Sequence, residues 1–159
     1  MMNPAYAPLF QTYTFNNGKT VKNRFVVAPM THWSSDAHGH ATPDELAYIK
    51  ARSQGFGLFV TGSIAVSKQA ISFSGQPLAI NDDDLPSLKS VADTIKSGGA
   101  LAIAQLQHGG AAVLPELNGG KILAPSSFKN KELETAYGKQ LVTADGMSQD
   151  ELMQTQADF

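Results

Sequence analysis

Three short apolar runs, each ending in polar residues, recur along the chain and predict strands near residues 25–30, 57–62 and 100–106. Each run is apolar almost throughout, which is typical of parallel strands covered on both faces. Polar residues stand where the runs end, notably Thr31 after the first and Gln105 within the last residues of the third. In a parallel barrel the chemistry lies at this end of the strands, so the pattern predicts one site shared by two strand ends.

Two helices are predicted between these strands, near residues 43–54 and 84–97. Thr42 is suited to cap the first helix, with Pro43 at its first position and Glu45 placed to complete a capping box. Three aspartates at 82–84 put negative charge at the start of the second helix, where the peptide dipoles favour it. Since each helix joins two strands, we expect three adjacent parallel strands with both helices on one face.

The segments on either side of this core have their own signals. Asn17-Gly18 predicts a turn between two short strands within residues 11–24. Residues 109–147 are too long for a bare connection, so we expect a folded excursion with its own hairpin. Ser148 and Glu151 form a second capping-box pattern, and the helix that it opens is expected to be cut off at Phe159.

Alternating strands and helices fit either an open doubly wound sheet or a closed eight-stranded barrel. No G-x-G-x-x-G and no G-x-x-x-x-G-K-[ST] sequence follows any of the strands, and this favours the barrel. A complete barrel needs about 250 residues, whereas the chain has 159. We therefore predict an α/β fold, the N-terminal portion of a (β/α)8 TIM barrel preceded by a β-hairpin, with residues 1–159 forming one incomplete domain.

Composition removes several classes of function. The chain is 42% hydrophobic with a net charge of −2, which indicates a globular protein and argues against a nucleic-acid partner. No run approaches the roughly 20 apolar residues of a membrane span, and the N-terminus lacks the pattern of a signal peptide, so we expect a cytoplasmic protein that does not bind membranes. The sequence has no cysteine, which excludes thiol chemistry within it and leaves any redox chemistry to a bound cofactor.

Five stretches, in the same order and spacing, resemble the opening of the old yellow enzyme family of FMN-dependent NAD(P)H oxidoreductases. The similarity covers residues 8–159 and rests on residues 28–31, 42–53, 57–66, 74–77 and 105–110. It implies a barrel that holds FMN across the C-terminal strand ends, with NADH or NADPH as the electron donor. The implied substrate is a small electron-poor acceptor such as an activated alkene.

The resemblance also implies roles for individual residues. The backbone at Pro29 and Met30 would line the flavin, the Thr31 hydroxyl would bond its O4 region, Ser63 would supply a backbone contact, and the Gln105 amide would reach the pyrimidine edge. Neutral donors of this kind stabilise the negative charge of a reduced flavin without neutralising it. No catalytic residue of the family is assigned within the chain.

Other interpretations of the same residues stay open. Thr31 could simply close a strand, and Gln105 could bond to backbone. Trp33 could face the substrate or could pack against Phe73 or the N-terminal hairpin. His108 is suited to acid–base chemistry, to shaping its loop or to touching the edge of a cofactor. The histidines at 32, 38 and 40, with Asp36, do not form a convincing ligand set, so we expect no metal.

Three departures from the family pattern bear on function. Gly62 replaces the usual Glu, Ala111 replaces a common Arg, and the chain ends before the family's fourth strand. The resemblance implies that the substrate-anchoring His pair or His-Asn pair, the basic residue beside the flavin and the phosphate-binding loops all lie beyond it. Two hypotheses follow: the chain is the N-terminal part of an FMN oxidoreductase, or it is a non-catalytic half-barrel or assembly subunit that needs a partner chain, a second copy of itself included.

Overall fold

The computed structural model describes residues 3–159 and is built around a three-stranded parallel sheet. Its strands are β3 (Val26–Val27), β4 (Leu58–Ala65) and β5 (Leu101–Gln107), with β4 in the centre. Residue 26 pairs with 58, and 58 with 101. The predicted parallel arrangement is confirmed, although β3 is shorter than the predicted 25–30. Its pairing stops before Pro29, which has no backbone N–H to donate to a ladder.

Two helices, α1 (Pro43–Ser53) and α2 (Leu85–Ser97), cover one face of this sheet. The core between helices and sheet consists of buried side chains from all these elements, with partly buried neighbours around them: Ile49, Phe59, Ile95 and Ala100. Burying such side chains is the main favourable contribution to the stability of this layer. Both helices lie where the sequence predicted them, and on the same face.

The N-terminus of α1 differs from the expected capping box. The Thr42 hydroxyl accepts a hydrogen bond from the Glu45 backbone N–H at 3.2 Å, as predicted. The reciprocal bond from the Thr42 backbone to the Glu45 carboxylate is not formed. That carboxylate is buried beneath the loop after β3, where it accepts the Ser35 hydroxyl at 2.9 Å and lies 3.5 Å from Nδ1 of His32. The capping box is therefore half formed, because loop donors occupy the carboxylate.

Short elements flank the parallel sheet on both sides. Before it, β1 (Tyr13–Thr14) and β2 (Thr20–Val21) form the predicted antiparallel hairpin. After it come α3 (Pro115–Asn118), β6 (Leu123–Ala124), β7 (Phe128–Thr135), β8 (Gly138–Gly146) and α4 (Gln149–Ala157). The β7–β8 pair is antiparallel, which confirms the hairpin expected within residues 109–147. The capping box at Ser148 and Glu151 is present with both of its bonds.

The second face of the parallel sheet has no helix layer in the described part of the chain. Val26 is 48% exposed there and Ile103 is 42% exposed, although both come from apolar runs. The three strands thus form an open segment of a barrel wall, covered outside by α1 and α2 and uncovered inside. In residues 3–159, no helix has the length and apolar character that crossing a membrane requires.

Candidate functional site

The C-terminal ends of β3 and β4 touch through their backbones. A Cβ atom built on Gly62 would lie 2.7 Å from the carbonyl oxygen of Met30 and 3.5 Å from Cα of Thr31. The first distance is far below ordinary van der Waals contact, so a side chain at position 62 would force the two segments apart. Glycine therefore permits the backbone at Met30 and Thr31 to lie directly against β4.

The ends of β4 and β5 are joined by an irregularity in their ladder. The register shifts between Val60 and Ser63, and the Thr61 hydroxyl fills the gap by accepting the Gln105 backbone N–H at 3.0 Å and donating to the Gly62 carbonyl at 2.9 Å. The ladder then resumes with Ser63 opposite Gln105. Neighbouring strands lie about 4.8 Å apart, so residues from all three strand ends share one continuous edge.

Two polar side chains on this edge are free to bind a ligand. Thr31 and Gln105 are exposed, and within residues 3–159 neither side chain hydrogen-bonds to a protein group. Pro29 and Met30 are exposed beside them. A cavity of about 30 Å³ is lined by Thr31 and Ser63 among others but does not reach Gln105. Thr31 and Gln105 therefore lie on one edge at the same end of the sheet, and this cavity is not a cleft that holds both.

A buried amide network lies directly behind this edge. Gln76, only 2% exposed, accepts the Ser72 backbone N–H at 2.8 Å and donates to Oε1 of Gln107 at 2.6 Å and to the Ser63 carbonyl at 3.5 Å. Gln107 in turn donates to the Ser72 hydroxyl at 3.3 Å. The two glutamines of β5 therefore differ: the Gln107 side chain is held by protein groups, while the Gln105 side chain is free.

Comparison with known proteins identifies the family. The model of the NADH:flavin oxidoreductase / NADH oxidase family matches residues 8–159. The chain belongs to this family. It is 42% identical over 116 residues to the probable NADH-dependent flavin oxidoreductase YqiG of Bacillus subtilis (strain 168), covering 73% of this chain and 31% of that protein. It is 33% identical over 121 residues to the NADH:fumarate oxidoreductase of Klebsiella pneumoniae (strain 342), covering 76% of this chain and 13% of that protein.

Solved structures confirm the fold. The old yellow enzyme homologue from Zymomonas mobilis superposes with a TM-score of 0.81 at 24% identity, over 94% of this chain and 42% of that one. Together with the open sheet, this likeness confirms the N-terminal portion of a TIM barrel. The chain spans less than a third of the length of the two curated relatives above. FMN is the cofactor of the family, and NADH or NADPH is its electron donor.

The departure at position 62 from the old yellow enzyme pattern has a structural explanation. The resemblance places Gly62 where those enzymes usually carry Glu, and in this structure a side chain at position 62 would collide with the Met30 carbonyl. The other departure, Ala111, lies in the short 3-10 helix Gly110–Ala112. Nothing in the structure explains the choice of alanine there.

Trp33 lies in an aromatic cluster that the sequence predicted only in part. Its indole stacks on Phe73 with ring centroids 5.4 Å apart, which is the packing alternative considered for it, and also meets Tyr137 edge-on at 5.2 Å. Its φ of +56° is the left-handed conformation, which is uncommon for a bulky residue. Trp33 remains 47% exposed, so its predicted place on the substrate side stays a prediction.

The histidines and their neighbours serve local structure. Nδ1 of His108 accepts the Gly110 backbone N–H at 3.0 Å, and burial lowers the pKa of His108 against a smaller opposing effect of Asp158. Both observations favour the neutral ring, and an Nδ1 atom that accepts this bond carries no proton. The Asp36 carboxylate accepts the backbone N–H groups of residues 40 and 38. These bonds, that of His40 above all, lower the pKa of Asp36.

Sequence reasoning missed three residues that shape the site. The sequence pattern indicates only an apolar strand at Thr61 and only a family motif at Gln76, and it indicates no role for Tyr137. The signal available for Gln76 was its position two residues after a Ser and one after a Gly, in a loop where an amide can bond to backbone. The signal for Thr61 was a hydroxyl beside Gly62, because Gly within a strand often marks a bulge.

Proposed function

We propose that this chain forms the N-terminal part of an FMN site in an oxidoreductase that uses NADH or NADPH to reduce a small electron-poor acceptor such as an activated alkene. The observation that carries the proposal is the shared strand-end edge, on which Thr31 and Gln105 stand with no protein partner among the described residues. Family membership supports the cofactor. The chain covers only 31% of the length of its Bacillus relative. We therefore assign the complete reaction to the whole barrel and not to this chain alone.

The residues on the edge fit the chemistry of an isoalloxazine ring. When bound, FMN would supply hydride transfer between the nicotinamide and the acceptor. Thr31 offers a hydroxyl donor for the O4 region and Gln105 offers an amide with both donor and acceptor atoms for the pyrimidine edge. The backbone at Pro29, Met30 and Ser63 would line the ring. All these groups are neutral, so they would tune the cofactor through hydrogen bonds and leave the phosphate without an anchor.

The acceptor class is supported by the Klebsiella relative, which is named for fumarate. Fumarate is an alkene activated by conjugated carboxyl groups. An exposed aromatic wall at Trp33 and Tyr137 would then border the space above the edge. We infer that this wall lies on the acceptor side.

A second candidate is favoured by the uncovered face of the sheet. Val26 and Ile103 expose apolar area that a complete barrel would bury. Residues 1–159 by themselves could therefore be a non-catalytic half-barrel or assembly subunit whose stability depends on another chain or on a second copy. Under either candidate, we expect this chain by itself to hold FMN poorly and to lack turnover, because phosphate contacts are the stronger, charge-assisted ones.

The deciding experiment is an FMN titration followed by flavin fluorescence and NADH oxidation. It compares the purified 159-residue chain with a polypeptide in which further barrel strands follow residue 159. We expect tight binding and turnover only in the longer polypeptide. Micromolar binding with turnover by a monomer of the 159-residue chain would contradict the expectation. Absence of FMN binding from both would contradict the proposed function.

The site residues are tested in the polypeptide that binds FMN. We expect Thr31→Val and Gln105→Leu each to weaken binding roughly 2- to 12-fold, the effect of one neutral hydrogen bond. Gln54→Leu is the matched control, because Gln54 is exposed at the C-terminal end of α1, opposite the strand-end edge. Equal binding by Gln105→Leu and Gln54→Leu would remove Gln105 from the site.

A further inference from the structure

Gln76 lies outside the parallel sheet, and its side chain bonds to both strands that flank the β4–β5 gap. It contacts the Ser63 carbonyl of β4 and the Gln107 amide of β5, and it closes its own loop through the Ser72 N–H. Ser63 is the register partner of Gln105, and Gln107 lies two residues beyond Gln105 on the same strand. The network therefore holds the neighbours of Gln105 on two sides.

We propose that Gln76 is a positioning residue that fixes the separation and orientation of Ser63 and Gln105 at the strand-end edge. It acts through Ser63 and Gln107 and does not itself reach a ligand, since its side chain is buried. The cofactor part of this inference rests on the proposed function. The part that concerns the geometry of the edge does not.

Only an amide of this length satisfies the three partners. The Ser72 N–H can only donate and the Ser63 carbonyl can only accept, so the tip of residue 76 must present an acceptor on one side and a donor on the other. A glutamate would face the Ser63 carbonyl without a proton to donate, and a leucine would remove the partners that Oε1 of Gln107 and the N–H of Ser72 find in Gln76. Buried polar groups without partners are rare because they are costly.

The loop that holds Gln76 also reaches the third strand end. A Cβ atom built on Gly75 would lie 3.1 Å from the Trp33 carbonyl and 3.2 Å from that of Ser35, and Gly75 has a φ of +74°. At the other side of the loop, the Pro77 carbonyl accepts the Ala65 N–H at 2.9 Å. The loop therefore contacts the segment after β3 and the end of β4, and the side chains of Gln76 and Ser72 connect it to Gln107 of β5.

The test compares Gln76→Leu and Gln76→Glu with Asn118→Leu as a control for the loss of a buried amide. Asn118 is 4% exposed and bonds to the Lys121 carbonyl and the Gly120 N–H, outside the network. The first measurement is hydrogen exchange at the backbone amides of residues 105 and 107 in protein without flavin. We expect at least tenfold faster exchange in both Gln76 variants after correction for global stability, and no such change in Asn118→Leu.

The second measurement is the midpoint potential of bound FMN in the polypeptide that retains it. We expect a shift in Gln76→Glu and Gln76→Leu that Asn118→Leu does not show, because a residue with a merely structural role would not change the potential. If Gln76→Leu does not fold, Gln107→Leu removes the same contact from β5 and gives the same expectation for exchange at 105. Exchange and potential that match those of Asn118→Leu would overturn the inference. Altered exchange in the Gln76 variants, together with no FMN binding by the parent polypeptide or by any variant, would support the positioning role and contradict the proposed function.

Discussion

The two faces of the parallel sheet are made by the same three strands and differ in what covers them. On the helix side, Phe59 and Ile95 are almost completely buried. On the other side, Val26 and Ile103 remain about half exposed, although they belong to equally apolar runs. The comparison shows that the strands carry apolar residues on both faces, as buried parallel strands do. The helices α1 and α2 cover only one of these faces.

The candidate site lies where these two faces meet solvent at the strand ends. Gln76 and Gln107 are held by hydrogen bonds to the loop after β4, whereas Thr31 and Gln105 are exposed. Hydrogen bonds made in an enclosed site are stronger than those made in water. The same two side chains would therefore bind a cofactor more tightly once the open face is covered.

The largest expected effect is the loss of Phe59. Phe59→Ala should reduce the free energy of unfolding by about 3–5 kcal/mol, because it leaves a cavity between α1, α2 and β4. Ile103→Ala, on the open face, should cost about 0.5 kcal/mol or less in the 159-residue chain. Urea denaturation of both variants measures the difference between the two faces.

The unfolding free energies of Phe59→Ala and Ile103→Ala also show whether the open face of the sheet is covered. In a polypeptide with further barrel strands, Ile103→Ala should cost about 2–5 kcal/mol, because Ile103 becomes a core residue. A cost of that size in the 159-residue chain would mean that its open face is already buried, and sedimentation would then show a second copy. Equal costs for Phe59→Ala and Ile103→Ala in monomeric chain would contradict the comparison.

The second effect concerns the contact between the ends of β3 and β4. Gly62→Ala should reduce stability by about 1–3 kcal/mol, since the new methyl group would lie 2.7 Å from the Met30 carbonyl. FMN binding should weaken with it, because Met30 and Thr31 are displaced. Ser63→Ala is the control, as the contact predicted for Ser63 comes from its backbone. Stability of Gly62→Ala equal to that of Ser63→Ala, by thermal unfolding, would contradict the close approach.

Much of the fold could be predicted because the signals are local. Apolar runs of five to seven residues gave the strands, Thr42 and Ser148 marked helix starts, and Asn17-Gly18 marked a hairpin. The half-formed capping box at Glu45 could not be predicted. Its carboxylate is taken by Ser35 and His32, and their proximity depends on how the loop after β3 folds over α1.

The site was predictable in its residues and less so in its geometry. Strand ends point to Thr31 and Gln105, but the bulge at Thr61, which brings Ser63 opposite Gln105, arises from pairing between two strands. The contact of Trp33 with Tyr137 depends on a hairpin about a hundred residues away. Such long-range contacts leave no periodic trace in the sequence.

A smaller effect is expected from removing a helix N-cap, and it should differ between α1, which packs on the sheet, and α4, which does not. Thr42→Ala should cost about 1 kcal/mol in global unfolding, because α1 packs against the core through Ile49. Ser148→Ala breaks the capping box of α4, none of whose side chains is buried, so it should mainly increase local fraying. Urea denaturation together with hydrogen exchange distinguishes the two results. A global loss for Ser148→Ala as large as that for Thr42→Ala would mean that α4 unfolds with the core.

The smallest effect is the pH dependence of an ion pair remote from both faces of the sheet. The Lys121 ammonium, with help from the Ser148 backbone and hydroxyl, lowers the pKa of Glu151 from 4.5 to about 2. A carboxyl group with a depressed pKa in the folded state stabilises the protein above its unfolded pKa, and this contribution is lost as the pH falls towards the folded value. Glu151→Gln should therefore lower the melting temperature slightly at pH 7, and the difference from the parent should shrink between pH 4.5 and 2. Lys139→Met, which breaks the exposed 3.3 Å pair with Glu132, is the control for a pair without backbone partners. A difference that stays constant down to pH 2 would show that Glu151 acts through the helix cap alone and not through its charge.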